Sequence, residues 1–170
     1  MADLDDELAR HHGASFGWAL VCCNGDRSVA EDVLQNAYLK LYDGRARFAG
    51  QSSVRAFLFS VIRRTASEDR RRRLVRAALS LSVLRSEGAE STEQVSGLTP
   101  IIYDETCRQL NAALLRLSSR QRQVIHLVFY QELTISAAAE ILGISIGSAR
   151  THYERGKAQL RVYLEDIKKP

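Results

Sequence analysis

The stretch TISAAAEILGISIGSARTHYERGKAQL, residues Thr134 to Leu160, decides the fold of this chain. Thr134 is placed to cap a short helix whose apolar side is Ile135, Ala138, Ala139 and Leu142, and Gly143 supplies the left-handed residue that ends it. Ile144 fills the corner and Ser145 caps a second helix. There Ala149, Tyr153, Gly156 and Leu160 recur at steps of four, three and four residues, which makes one inward stripe. Ser148, Thr151, His152 and Arg155 lie on the opposite side of its first turns. A glycine corner between two such helices is the pattern of a helix-turn-helix, whose second helix presents polar side chains to base edges in the major groove.

Outward from this segment the chain reads as all-α. Its only prolines are Pro100 and Pro170, and apolar residues recur at three and four. A first helix is expected from about Leu4 to Cys23, with Leu8, His12, Phe16, Ala19 and Cys23 along one side. Asn24-Gly25-Asp26 breaks it, and Ser28 with Glu31 has the spacing of a capping box for a second helix. That helix has Ala30, Val33, Leu34, Ala37, Tyr38 and Leu41 inward and Glu31, Asp32, Gln35 and Asn36 outward. Ser53 is placed to cap a third helix with Val54, Phe57, Leu58, Val61 and Ile62 inward, ending in a run of arginines. Residues 86–100, SEGAESTEQVSGLTP, lack apolar periodicity and read as a flexible linker. The expected organisation is therefore two small helical domains, 1–85 and 103–170, joined by a linker at 86–102. In the second, which begins near Ile101, Leu110, Ala113, Leu114 and Leu117 share a face. Ser118 and Gln121 then form a capping box for a helix that buries Val124, Leu127 and Val128.

Charge is distributed unevenly. Residues 1–43 carry −5, 44–85 carry +9, 86–106 carry −5 and 107–170 carry +5, within a net charge of +4. Two basic blocks, each beside an acidic one, imply two places that touch phosphate. In VRAFLFSVIRRTASEDRRRR aromatics and arginines interleave, and Phe59, Arg63, Arg64 and Arg70 are expected to face outward together. Arginines that hold phosphates beside an aromatic that stacks on an unpaired base suit melted DNA.

Catalytic motifs are missing from the sequence. It holds no Walker loop, no G-x-S-x-G and no H-E-x-x-H, and His11, His12, His126 and His152 are scattered, so no enzyme, cofactor or metal is expected. The linker carboxylates are read as solvated. Cys22, Cys23 and Cys107 make neither a disulfide framework nor a zinc spacing and are read as small apolar residues on helices; a metal site joining His11, His12, Cys22 and Cys23 is disfavoured because adjacent helical positions diverge by about 100°. No apolar run approaches the roughly 18 residues of a membrane span, and MADLDDELAR has no signal-peptide character, so the expected location is cytoplasmic without membrane insertion.

Taken together, the two units resemble the extracytoplasmic-function (ECF, group 4) sigma factors, the part of the bacterial sigma-70 family that keeps only regions 2 and 4. The resemblance rests on GDRSVAEDVLQNAYLKLY (Gly25 to Tyr42), FAGQSSVRAFLFSVIRRTASEDRRRR (Phe48 to Arg73) and LSSRQRQVIHLVFYQELTISAAAEILGISIGSARTHYERGKAQLR (Leu117 to Arg161). It implies that Glu31, Asp32, Gln35 and Asn36 bind the clamp helices of the polymerase largest subunit. Phe48, Ser52, Arg55, Phe59, Arg63, Arg64 and Arg70 would recognise and open the minus-10 element. Ser148, Arg150, Thr151, His152 and Arg155 would read the minus-35 element, the linker would run near the RNA path, and the polymerase flap and an anti-sigma factor would be further partners. Four positions depart from the usual pattern: Asn36 for an acidic residue, Phe57 for tryptophan, Arg64 for asparagine and Gly156 for alanine. Arg64 adds charge beside the melted strand, so no minus-10 preference is carried over. Two rival functions are a sigma-like decoy for an anti-sigma factor or polymerase, and a free-standing helix-turn-helix regulator that binds an operator as a dimer.

Overall fold

The computed structural model of the chain describes residues 2–50, 52–84 and 105–167. Among these every regular element is helical: α1 (Ala2–Cys22), α2 (Arg27–Tyr42), α3 (Val54–Leu84), α4 (Glu105–Leu115), α5 (Ser119–Ile125), a π-helical turn (His126–Tyr130), α6 (Ile135–Leu142) and α7 (Ile146–Ile167). The linker expected at 86–102, and the start of the second unit near Ile101, lie outside the described residues.

Helices α1, α2 and α3 pack pairwise into one unit, while α7 lies against α4, α5 and α6 in the other. The reversal between α1 and α2 is made by Asn24 and Gly25, both at positive φ (57° and 87°). Asp26 then caps α2 by accepting from the Val29 backbone N–H at 3.0 Å. This corrects the expected Ser28 and Glu31 box. The helix begins two residues earlier, so Ser28 already lies within the first turn, and Glu31 accepts instead from Arg27 at 2.9 Å.

Along α1 the buried side chains are Leu8, Ser15, Trp18, Ala19 and Cys22. His12 is exposed and Cys23 half-buried, so the inward face is rotated from the expected one. The reason is that α1 packs against α2 and α3 and, on a further side, meets α5 and the π turn of the second unit. Trp18 marks that side. It is fully buried, donates its indole N–H to the Phe59 carbonyl at 2.9 Å, and stacks on the Phe59 and His126 rings with centroids 6.0 and 5.6 Å away.

Ser53 caps α3, accepting from the Ala56 N–H at 3.1 Å, and Ala56, Leu58, Phe59, Val61, Ile62, Thr65 and Ala66 form its buried face. The helix does not stop at the arginines. It passes through Arg70–Arg73 to Leu84, because arginine is a good helix former whose side chains need only solvent or a carboxylate one turn away, such as the Arg73 to Asp69 pair at 2.8 Å. In the second unit the Ser118 and Gln121 box is present in both directions. Gly156 lies where α7 meets α5: a Cβ there would lie 2.7 Å from Ile125 Cδ1 and 3.2 Å from Gln121 Cβ, so a larger residue would require the Ile125 side chain to turn and Gln121 to give slightly.

The two units share one core. Phe59 and Ile62 of α3 and Trp18 of α1 belong to the same buried cluster as Leu127, Ala138, Ile141 and Leu142, and α3 lies directly against α6.

Candidate nucleic-acid interface

The helix-turn-helix is built by local chemistry at each joint. Thr134 (φ −66°, ψ 156°) caps α6 by accepting from the Ala137 N–H at 3.1 Å. Gly143 (φ 57°, ψ 42°) ends α6, and the Ile144 N–H closes the turn on the Ala139 carbonyl at 3.1 Å. Ser145 accepts from the Ser148 N–H at 3.1 Å and donates its hydroxyl to Ser148 Oγ at 2.9 Å. With Ala149 and Gly156 buried, Ser148, Arg150, Thr151 and Arg155 are exposed along the first three turns of α7 and His152 is half-buried beside them. Thr151 donates to the Gly147 carbonyl at 3.0 Å, so toward an outside ligand it offers an acceptor and a methyl group. Neither Arg150 nor Arg155 is held by an acidic side chain among the described residues. This face has the donors and the freedom to enter a major groove.

Phe59 apart, the residues of the first unit expected to meet melted DNA fall into three groups. Phe48 is 45% exposed and its ring is tilted against the half-buried Phe57 at 5.3 Å, with Ser52 half-buried nearby in sequence. Arg64 and Arg70 are exposed. Arg55 and Arg63 are half-buried; Arg55 donates Nη2–H to the Gln131 carbonyl at 2.8 Å. Burial first, and then the neighbouring Arg120 charge, press on the Arg63 guanidinium and lower its pKa.

Phe59 is a correction. It is 0% exposed, lies under Trp18 and cannot stack on a base. Two residues along a helix is about 200° of rotation, so Phe57 and Phe59 cannot share a face, and the expectation put the wrong one inside. The exposed aromatic of this region is Phe48, supported by Phe57.

The α2 face is exposed at Glu31, Asp32, Gln35 and Asn36. The first three line a shallow depression with His12, Phe16, Arg27, Leu34 and Tyr38, and Asn36 lies outside it. Sequence reasoning missed a second surface. The π-helical turn leaves Phe129 and Tyr130 78% and 75% exposed at the mouth of an apolar cavity of about 360 Å³, lined by Leu20, Val21, Leu110, Leu114, Ile125 and Leu160 among others. The apolar run VIHLVFY was the available signal; a π turn within it, which widens the helix by one residue, was not readable.

Cys22 is buried and its thiol pKa is pushed up by burial; Cys23, half-buried, is pushed up to about 11 for the same reason. Both are poor thiolates. Cys107 lies on α4, its side chain outside those described. No described helix is long and apolar enough to cross a membrane.

A free polar face on the second helix of a helix-turn-helix, carried on one chain with an arginine-rich helical unit, defines a DNA-binding protein of two helical domains. Residues 8–76 match sigma-70 region 2 and residues 107–160 match sigma-70 region 4. The RNA polymerase sigma factor YlaC of Bacillus subtilis is 30% identical over 136 residues, covering 78% of this chain and 76% of the relative. The ECF RNA polymerase sigma factor SigW of Bacillus subtilis is 26% identical over 148 residues, covering 84% and 79%. In fold the chain is similar to the sigma factor RpoE of Bartonella quintana, solved in complex with the anti-sigma factor NepR, with a TM-score of 0.77 at 24% identity over 97% of this chain and 98% of that one. The chain belongs to the sigma-70 family and is an RNA polymerase sigma factor of the ECF type.

Proposed function

We propose that this sigma factor, as a group 4 member in the cytoplasm, directs core RNA polymerase to its promoters through three surfaces. The exposed α2 face, Glu31, Asp32, Gln35 and Asn36, binds the clamp helices. Ser148, Arg150, Thr151, His152 and Arg155 read the minus-35 duplex from α7. Phe48, Ser52, Arg55, Arg63, Arg64 and Arg70 hold the opened minus-10 strand, with Phe57 beneath Phe48 in the stacking role first assigned to Phe59. The domains are taken as 1–85 and 103–170, with 86–102 as the connection.

The observation that carries this reading is the order of surfaces on one chain: an exposed acid and amide face on α2, then an arginine-rich helix, then an open recognition face on α7. Opening needs no ATP and no metal in this scheme. Trapped bases contribute about 1–3 kcal/mol each by stacking, which offsets the few kcal/mol of unstacking. The apolar mouth at Phe129 and Tyr130 supports a helix-binding role toward the polymerase flap or an anti-sigma factor. Run-off transcription from genomic fragments with purified core polymerase tests the proposal. Discrete new transcripts with shared upstream elements are expected; core binding without transcripts would favour the decoy.

A further inference from the structure

The apolar cavity beside the π turn holds a buried charge. Its wall comes from α1, α4, α5 and α7, and among the described residues no acidic side chain lines it. Of its polar lining, Asn111 and Tyr130 are exposed, and His126 is kept neutral at pH 7 by burial, which lowers its pKa to about 4. Arg122 is different: it is a cation only 9% exposed. Its Nη2 donates to Asn24 Oδ1 at 3.0 Å, whereas Nε has no hydrogen-bond partner, and no carboxylate among the described residues pairs with the guanidinium. Burial first, and then the Arg70 charge, lower the Arg122 pKa. A buried cation with a bare donor is unfavourable by itself, and an anion set against it removes the deficit.

Size decides what kind of anion. One turn of α-helix, about 5.4 Å long and about 10 Å across, fills roughly 420 Å³, which exceeds the cavity of about 360 Å³. A helix can therefore lie on the mouth at Phe129 and Tyr130, but its body does not enter. At roughly 30 Å³ for a water-sized group, the interior holds about twelve such groups, the size of a medium-chain carboxylate. Its leucine-rich wall suits an aliphatic chain, and a single guanidinium suits a single negative charge, since a dianion would lose more solvation than one cation offsets.

We propose that this cavity is a binding site for a small monocarboxylate with an aliphatic chain, the chain lying among Leu20, Val21, Leu114 and Leu160 and the carboxylate spanning Nε–H and Nη2–H of Arg122. Arginine offers these two N–H groups in parallel, at the spacing of two carboxylate oxygens. Nη2 carries a second hydrogen, so Asn24 keeps its bond. Nε is itself covered, and the carboxylate reaches it by a turn of the guanidinium toward the cavity that Arg122 already lines. The site depends on the cavity and its arginine alone and is independent of the promoter reading.

The test is isothermal titration calorimetry of the full-length protein at pH 7.5 with decanoate, 1-decanol and decylammonium, which share a chain and differ in charge. One equivalent of decanoate is expected to bind with a Kd of about 100 µM or below. Decanol should bind about ten- to a hundredfold more weakly, the worth of a hydrogen bond to a charged group, and decylammonium more weakly still. Arg122→Met keeps an unbranched side chain of similar reach without the charge, and should bring decanoate down to the affinity of decanol. Leu110→Trp, at a lining position that is 40% exposed, fills the cavity without altering net charge and should abolish binding of all three.

Decanoate binding no tighter than decanol in the wild type overturns the site, because the cavity would then be apolar only. Absence of decanoate binding overturns it too, leaving the mouth as a surface for polypeptide alone. Decanoate affinity that survives Leu110→Trp would place the ligand elsewhere on the basic surface. Should Arg122→Met lose helical circular dichroism, the wild-type comparison of the three ligands and the Leu110→Trp result carry the decision.

Discussion

His126 shows how one side chain can tie stability to pH. Burial between Trp18 and Tyr130 lowers its pKa from 6.5 to about 4, so the folded chain holds the imidazole neutral while the unfolded chain protonates it in the ordinary range. Its contribution is therefore complete above pH 6.5 and is lost as pH falls through about 4, and the full shift amounts to about 3 kcal/mol. Denaturant midpoints taken between pH 7.5 and pH 4 should fall over that window in the wild type. They should fall less in His126→Phe, which keeps a ring on Trp18 without a titrating group. An identical pH profile in the two proteins would show that other groups govern acid unfolding. Gly156 gives a different lesson at this scale. Its departure from alanine reads from sequence as a small loss of helix propensity, whereas the 2.7 Å approach of Ile125 Cδ1 shows that the Ile125 side chain occupies the space a methyl group at 156 would take.

Among elements, α3 carries the clearest contrast between two neighbouring aromatics. Phe59 lies in the core and Phe48 stands beside its N-terminus in solvent. Phe59→Ala should cost about 3–5 kcal/mol of stability through the cavity it leaves. Phe48→Ala should change stability by about 0.5 kcal/mol or less yet impair promoter opening, read by permanganate reactivity of the melted thymines. If Phe48→Ala opened promoters as well as the wild type, the Phe48 and Phe57 platform would be excluded.

The same helix marks where the sequence was legible. Caps and corners at Thr134, Gly143, Ser118 and Ser53 were readable because each is decided within four residues. The rotational phase of α1 and α3 was not. Both helices are enclosed by more than one neighbour, and an alternation of apolar residues does not say which side faces the second unit. For the candidate site, the exposed faces of α2 and α7 followed from position alone, while the tie of Arg55 to Gln131 joins segments remote in sequence and left no local trace.

At the level of the whole molecule, one buried cluster spans both units, so the wild type should melt in a single transition with matching calorimetric and van't Hoff enthalpies. A double variant, Asn24→Gly with His126→Ala, loses the Arg122 partner and the ring on Trp18 and should broaden or split that transition in differential scanning calorimetry. Two separate transitions in the wild type would mean that the shared cluster contributes little coupling. A consequence also follows for anything that competes for the faces the two units turn to each other. Because the units belong to one chain, each confronts the other at an effective concentration of about a millimolar, whatever the amount of protein present. A partner supplied at about a micromolar must therefore bind a covered face about a thousandfold more tightly than the tethered unit does before it takes that place. Dilution leaves this internal competitor untouched, and only a ligand that favours the separated form can outbid it.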